Sequence, residues 1–240
     1  VGHHVDSVIV DGVNQPVAAS YTFTTVIANH TIYVAFAIDQ FTITASSGAN
    51  GSISPSGPVT VSYGGTQAFT FAAAPNYHLD SILVDGVNQP LAPSYTFSTV
   101  TANHTIRVAF AIDQFVITAS SGPNGAIAPT TATVSYGGSQ TFTFTPSLGY
   151  HLDSLLVDGA SQPLAGSYTF TNVTTTHTIR VAFAIDQFTI SASSGPNGTI
   201  SPSGSVTANY GSSPSFTFTP TTGYHVDSIL VDGVSQPVAG

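Results

Sequence analysis

The chain contains no cysteine and no methionine, and neither lysine nor glutamate occurs in it. Without cysteine there can be no disulfide bond, no thiol nucleophile and no thiolate metal site. Without lysine there can be no Lys–Asn or Lys–Asp isopeptide cross-link. Stability must therefore come from burial of apolar side chains and from contacts between neighbouring parts of the chain.

Charge is also scarce. Only 5% of the residues are charged, the net charge is −9, and the only bases are Arg107 and Arg180. Nucleic-acid binding requires clustered bases, and docking on anionic membranes requires positive charge, so both are disfavoured. The sequence contains no run of 18 apolar residues, so membrane insertion of this segment is not predicted. The lack of oxidisable sulfur suits an extracellular location.

Repetition is what the chain has instead. The sequence Ala-Ile-Asp-Gln-Phe begins at Ala37 and recurs 74 and then 73 residues later. Only Asp and Gln separate the strand-like runs on either side, and two residues reach about 7 Å, so neighbouring repeats must nearly touch. We predict that this sequence is the inter-repeat joint, formed by Ala37, Ile38, Asp39, Gln40, Phe41, Ala111, Ile112, Asp113, Gln114, Phe115, Ala184, Ile185, Asp186, Gln187 and Phe188.

The repeat predicts the domain organisation. Residues 1–39 correspond to the C-terminal part of a repeat, 40–113 and 114–186 are complete repeats, and 187–240 is the N-terminal part of a further one. Ends of this kind are expected for a segment of a longer array. The alternative is that the tail of one subunit and the head of the next complete a shared domain.

Within each repeat, apolar and polar residues alternate with a period of two, which is the pattern of β-strands. No period of 3.6 persists, so no substantial helix is expected. Asn50-Gly51 and its equivalents predict a tight hairpin between the first two strands. We predict an all-β tandem array of modules of about 74 residues, with five to six strands each, in a sandwich-like or grasp-like arrangement.

Three segments of the repeat carry a family resemblance: VSYGGTQAFTF, YHLDSILVDG and SYTFSTVTANHTIRVAFA, which lie between Val61 and Ala111. They resemble the divergent InlB B-repeat family of bacterial surface proteins. This resemblance implies small, mostly β modules along large secreted or wall-attached proteins, with neither catalytic residues nor a cofactor. The better described relatives have a grasp-like sheet with a helix.

His78, Asp80 and Ser81 are the residue types of a hydrolase triad. On a strand, however, His78 and Asp80 share a face from which Ser81 points away. The motif also occurs four times, whereas an active site is normally built once. A local His–Asp or Asp–backbone hydrogen bond is the favoured interpretation, and no enzymatic activity is expected.

A metal site is the other chemical candidate. His78 and Asp80, with His104 from a neighbouring segment, would offer too few ligands for a structural site without a spatial coincidence. Calcium held by Asp80, Asp85 and Asp113 is more natural, since calcium takes oxygen ligands. No dense Asp-x-Asp-x-Asp loop is present, so no cofactor is expected and calcium remains the alternative.

Two functions fit these features. The leading hypothesis is a structural stalk or fibre on the bacterial cell surface, with other repeats or subunits as partners and head-to-tail polymerisation by strand complementation as an extension. The rival is an adhesin-type array that recognises a glycan or a host protein through exposed Ser/Thr/Asn-rich strand faces.

Overall fold

The computed structural model describes residues 1–238, so the last two residues of the predicted repeat 187–240 lie outside the described residues. The protein is all-β, with 61% of the chain in strands and no helix among the described residues. The chain divides into two compact units, and the boundary between them falls after Asp113.

Unit 1 contains one partial and one complete repeat. Its strands are β1 (His3–Val10), β2 (Val13–Gln15), β3 (Ile32–Ile38), β4 (Gln40–Ser47), β5 (Gly51–Ser54), β6 (Gly57–Ser62), β7 (Gln67–Ala73), β8 (Tyr77–Val84), β9 (Val87–Gln89), β10 (Ser94–Phe97) and β11 (His104–Ile112).

Unit 2 contains the second complete repeat and the residues that follow it. Its strands are β12 (Gln114–Ser121), β13 (Gly125–Ala128), β14 (Thr131–Ser135), β15 (Gly138–Pro146), β16 (Tyr150–Val157), β17 (Ala160–Ser161), β18 (Ser167–Val173), β19 (His177–Ile185), β20 (Gln187–Ala192), β21 (Gly198–Ser201), β22 (Gly204–Asn209), β23 (Thr217–Pro220), β24 (Ile229–Val231) and β25 (Val234–Gln236).

Each complete repeat is a two-sheet sandwich. In residues 40–113 a five-stranded sheet of order β6-β4-β11-β8-β9 packs on a three-stranded sheet of order β10-β7-β5. The central pair, β4 and β11, is parallel, and the other neighbours in both sheets are antiparallel. The sandwich-like expectation is therefore the one observed, without the helix that the family resemblance implied.

The repeat has eight strands, two more than the upper expected number. The strands that the sequence pattern did not separate are β5 and β9, which have four and three residues. The predicted hairpin at Asn50-Gly51 is wrong, because β4 and β5 belong to different sheets. Asn50 has a positive φ of 65°. Gly51 is needed for space, since a Cβ there would lie 2.3 Å from the Phe110 ring.

The core lies between the two sheets. Ile43, Ile82 and Ile106 from the large sheet and Phe69 from the small one are at most 1% exposed. The second repeat places Ile117, Leu155, Ile179 and Phe142 in the same way. Each such side chain contributes roughly 1.5–3 kcal/mol by leaving water, which is the main stabilisation available to a chain without cross-links.

The strand that carries the His-x-Asp-Ser motif contains a β-bulge. Along β8 and β11, Ala109 pairs with Ser81 and Phe110 pairs with Leu79, so Asp80 is the extra residue. Asp6 and Asp153 occupy the same place in the other two copies. A bulge shifts the alternation by one residue. In β8 the inward-facing positions are therefore Tyr77 and Leu79 before the bulge and Ile82 and Val84 after it.

The partial repeats reproduce pieces of this sandwich. Residues 1–39 form a three-stranded sheet of order β2-β1-β3, which corresponds to β9-β8-β11. Residues 187–238 form three two-stranded sheets, β20-β22, β21-β23 and β24-β25. Their apolar side chains are less covered than in the complete repeats, as shown by Phe188 at 56% and Phe218 at 39% exposed.

Candidate functional site at the joints between repeats

The joint sequence connects consecutive repeats through a single residue outside the strands. Strand β3 ends at Ile38 and β4 begins at Gln40, so only Asp39 lies between them. Asp113 and Asp186 occupy the same place in the other two joints. The expectation that both Asp and Gln would lie outside the strands is corrected, since Gln opens the next strand. Asp39 lies inside unit 1 and Asp186 inside unit 2.

The backbone of the joint Asp bonds to both repeats. In unit 1 the Asp39 N–H donates to the Gly2 carbonyl of one repeat at 2.8 Å, and its carbonyl accepts from the Tyr63 N–H of the next, also at 2.8 Å. In unit 2 the Asp186 N–H donates to the Gly149 carbonyl, and the Asp186 carbonyl accepts from the Tyr210 N–H, both at 2.8 Å. One residue thus ties the two repeats together.

The carboxylate of the joint Asp pairs with the histidine of the His-x-Asp-Ser motif. His78 Nδ1 lies 2.9 Å from Asp113 Oδ1, and the equivalent distances are 2.8 Å for His4–Asp39 and 2.7 Å for His151–Asp186. The histidines are more than half exposed. An exposed pair of this kind contributes about 0–1 kcal/mol, so it orients the joint more than it stabilises it.

A glycine packs against a tyrosine ring beside each of these two joints. Gly2 and Gly149 have φ of 75° and 78°. A Cβ on Gly2 would lie 2.3 Å from Tyr63 Cδ1, and one on Gly149 would lie 2.2 Å from Tyr210 Cδ1. No Cβ fits at such distances, so the tyrosine of one repeat lies directly on the backbone of the other.

A second His–Asp pair lies within each repeat. Asp85, in a turn with φ of 50°, accepts from the Thr105 N–H at 2.7 Å and contacts His104 Nδ1 at 2.7 Å. The His104 ring also lies 5.0 Å from the Phe97 ring, centroid to centroid. His30–Asp11 and His177–Asp158 repeat this arrangement. These pairs hold the turn after β8 against the start of β11.

These hydrogen bonds shift the acidity of the turn carboxylates. Burial opposes ionisation of Asp85, but the hydrogen bonds from His104 and from the Thr105 N–H outweigh it and lower its pKa. Asp158 behaves in the same way, with the Thr178 N–H and His177 lowering its pKa against burial. In Asp11 the Thr31 N–H, followed by His30, lowers the pKa.

The residues singled out as a triad are not assembled as one. His78 pairs with Asp113, 35 residues away, and not with its neighbour Asp80. The favoured interpretation, a His–Asp hydrogen bond, has the right chemistry but the wrong partner. The missed signal is a constant spacing, because each of the three histidines lies 35 residues before its Asp.

The calcium candidates are likewise dispersed. Asp113 pairs with His78, Asp85 pairs with His104, and Asp80 lies exposed in the bulge. Among residues 1–238, no group of three or more His or Asp side chains is arranged to hold a metal ion. The structure therefore does not bring the three predicted ligands together.

Comparison with known proteins identifies one family. Residues 188–235 match the family model of the divergent InlB B-repeat domain. No curated protein and no solved structure matches the chain. The part of the chain that the structure describes contains no helix long and apolar enough to cross a membrane.

Proposed function

We propose, starting from the divergent InlB B-repeat domain that the chain carries at residues 188–235, that the protein is a structural stalk or fibre segment on a bacterial surface. Divergent InlB B-repeat domains belong to bacterial surface proteins. The same motifs recur through the chain, in which 40–113 and 114–186 form equivalent sandwiches. The family match supports a β-repeat protein of the surface type, and the role as a stalk or fibre segment is what we propose in addition.

The joint carries this proposal. A flexible linker would leave the backbone of Asp39 and Asp186 free, whereas both residues are hydrogen-bonded to the repeat before and the repeat after. The Gly2–Tyr63 and Gly149–Tyr210 contacts add packing at the same place. Repeats that are connected by one bonded residue cannot swing independently, and a surface protein that must hold something away from the cell requires that stiffness.

No catalytic role belongs to this proposal. The His–Asp pairs recur in each repeat and have structural partners. A net charge of −9 also leaves nucleic acid outside the proposed partners. The partners proposed are neighbouring repeats and other copies of the chain.

Electron microscopy of the native surface material tests the stalk. Straight extensions of regular width are expected on the cell surface, and they should be labelled along their length by antibodies against residues 40–113. Antibody label confined to the cell envelope, or distributed over curved and irregular strings, would contradict the proposal. An antibody against an unrelated surface protein provides the control.

A specific observation favours adhesion as a second candidate. The outer face of the three-stranded sheets is exposed and has no charge, as Thr141, Thr143 and Thr169 in unit 2 illustrate. Hydroxyl-bearing faces of this kind suit hydrogen bonding to a glycan. A glycan array probed with residues 1–240 would support adhesion if one class of glycan bound repeatedly, and an empty array would count against it.

A further inference from the structure

The outer face of the five-stranded sheet carries one arginine in each complete repeat. In β11 the buried residues Ile106 and Val108 point into the core, so Arg107 between them points outward and is exposed. Arg180 takes the same place on β19. Both β11 and β19 are the central strands of their sheets. The two arginines of the chain therefore stand at one position of the repeat.

The β-bulge places a carboxylate on the same face. In β8, Leu79 and Ile82 face the core, so the extra residue of the bulge, Asp80, points outward together with Ser81. Asp153 occupies this place in the second complete repeat. Both carboxylates are exposed. The bulge thus adds one acid to the face that carries the arginine.

Neither charge is neutralised within its own repeat. Among residues 1–238, every ion pair joins a histidine to an aspartate. Arg107 and Asp80 take part in none of these pairs, and the same is true of Arg180 and Asp153. Each complete repeat therefore presents one unpaired cation and one unpaired anion on the outside of the same sheet.

The two charges are diagonal neighbours on the sheet. Arg107 lies opposite Leu83, whereas Asp80 lies beside Ser81, which is opposite Ala109. Two residues along a strand span about 6.6 Å and neighbouring strands are about 4.8 Å apart, so the two Cα atoms lie roughly 8 Å or more apart. A two-fold axis through the sheet between them sets the arginine of one copy opposite the aspartate of the other, and the reverse. The face is therefore complementary to itself.

The side chains around the two charges let a second sheet approach. Ala109 and Ala111 on β11 and Thr44 and Ser46 on β4 face the same side, and all four are small and uncharged. Sheets that pack face to face lie about 10 Å apart. An extended arginine and an aspartate together bridge a gap of that size, so no bulky group prevents the contact.

We propose that the outer faces of the five-stranded sheets of two copies of the chain pack on each other, with Arg107 of one copy bonded to Asp80 of the other and the reverse. Arg180 and Asp153 offer the same pair, so either complete repeat can face either complete repeat of the second copy. The contact joins chains side by side and bundles stalks laterally. This inference rests on the proposed stalk, whose partners include other copies of the chain.

Charge favours a second copy over other occupants of this face. An anionic polysaccharide would pair with Arg107 but would also meet Asp80 and a chain of net charge −9. An uncharged glycan would bury both charges without a counter-ion. A second copy supplies both partners at once. Repulsion between two acidic chains is largely screened beyond about 8 Å at physiological ionic strength, whereas the paired groups are in contact.

The size of the face indicates how strong the contact is. Five strands about 4.8 Å apart and about six residues long give an area of roughly 400–500 Å². One pair of repeats then buries about 800–1,000 Å² in total, which is small for a specific interface. Repeats in line on the same chain add their contacts. We therefore expect weak association that strengthens with the number of repeats.

Charge exchange tests the pairing in the full chain. An acidic-face variant carries Arg107→Glu with Arg180→Glu, and a basic-face variant carries Asp80→Arg with Asp153→Arg. All four positions are exposed, so both variants should keep the circular dichroism of the unaltered chain. Sedimentation velocity over a concentration series measures the association of the unaltered chain, of each variant alone and of the equimolar mixture of the two variants.

The unaltered chain should associate as its concentration rises. Each variant alone should associate at least about ten-fold more weakly, because its faces then present like charges to each other, and the mixture should restore the association. A mixture no tighter than either variant, or an unaltered chain that stays monomeric at high concentration, would overturn the inference. A basic-face variant that associates more tightly than the unaltered chain would also overturn it, because general repulsion between acidic chains would then decide the association.

Two further readouts separate this inference from its neighbours. Binding of polygalacturonate that is lost in the acidic-face variant and strengthened in the basic-face variant would assign the arginines to an anionic glycan and overturn the pairing of copies. Electron microscopy that shows straight single stalks without side-by-side contacts would leave the stalk function standing and remove only the lateral pairing.

Discussion

Asp39 and Asp186 each use an N–H, a carbonyl and a carboxylate, and each of these groups has a different partner. These partners explain why an Asp stands at the centre of the repeated Ala-Ile-Asp-Gln-Phe sequence, because its side chain pairs with His4 or His151 while its backbone joins the repeats. A glycine completes the arrangement by letting a tyrosine ring lie against the backbone. At the scale of single residues, the joint is a three-way hydrogen-bonded junction with one close contact beside it.

The close contact can be tested with two glycines of the same conformation. Gly149 and Gly159 have φ of 78° and 79°, but only Gly149 has an atom within 4 Å of an added Cβ. Alanine strains both backbones by about 1–2 kcal/mol. Gly149→Ala must also push the Tyr210 ring away, for about 1–3 kcal/mol more.

Amide exchange of Tyr210 is the readout, because its N–H bonds to the Asp186 carbonyl. We expect Gly149→Ala to accelerate the exchange strongly and Gly159→Ala to leave it nearly unchanged. Equal effects of the two substitutions would show that the ring contact does not hold the joint.

The turn carboxylates predict a dependence of stability on acid. Burial opposes ionisation of Asp85, but hydrogen bonds from His104 and from the Thr105 N–H hold its folded pKa below the ordinary value of an Asp carboxyl. A group with a lowered folded pKa contributes stability above the unfolded pKa and loses it as the pH falls through the folded one. The free energy of unfolding should therefore decline as the pH falls below about 4, the ordinary pKa of an Asp carboxyl.

Asp85→Asn should make that decline shallower, and asparagine tolerates the positive φ of this position. Asp80→Asn is the matched control, since Asp80 lies in the bulge of the neighbouring strand without a side-chain partner in the described chain. Urea unfolding at several pH values measures the difference. An identical slope for Asp85→Asn and the unaltered chain would refute the role of this carboxylate.

At the scale of elements, the parallel pair at the centre of each sandwich decides what is buried. Ile32 and Ile106 occupy the same place in the repeat, but Ile32 is 48% exposed and Ile106 is 0% exposed. Ile106→Ala should lower the free energy of unfolding of unit 1 by about 2–5 kcal/mol, as expected for a fully enclosed side chain.

Ile32→Ala should cost less than about 1 kcal/mol, because little of the removed surface is withdrawn from water. Thermal and urea unfolding of both variants gives the comparison. Similar losses for the two substitutions would contradict this explanation, because they would mean that Ile32 is as enclosed as Ile106.

The elements also show what the sequence could and could not predict. Alternation in Phe41 to Ala45 and in Ile106 to Val108 predicted strands, because one buried face imposes a period of two. It could not predict that β4 and β11 are parallel neighbours, since alternation specifies a face and not a partner. The short strands β5 and β9 were not predicted, because three or four residues are too few to show a period of two.

The candidate site was predictable in position but not in chemistry. Exact recurrence of the sequence from Ala37 to Phe41 pointed to the segment where β3 ends and β4 begins. The partners of Asp39 lie far from it in sequence, at Gly2, His4 and Tyr63. Such partners follow only from the fold, which brings the start of β1 beside the end of β3.

At the scale of the whole molecule, the joints that lie inside the two units, at Asp39 and Asp186, are hydrogen-bonded residues and not linkers. A Gly/Ser insertion after Asp186 should leave residues 114–186 folded, because their core does not include the joint Asp, and should leave the two-stranded sheets of 187–238 intact, because none of them contains Asp186. It should abolish the coupling between them, because Tyr210 and Gly149 could no longer reach Asp186 together. Circular dichroism unchanged by the insertion would establish that folding is retained.

The most direct test measures the distance distribution between spin labels on equivalent, exposed strand positions of adjacent repeats, Thr133→Cys and Thr207→Cys. The absence of native cysteine makes the labelling specific. We expect one narrow distance distribution in the unaltered chain and a broad one after the Gly/Ser insertion at Asp186. A broad distribution in the unaltered chain, or one that the insertion leaves unchanged, would contradict the claim that this joint holds adjacent repeats rigidly.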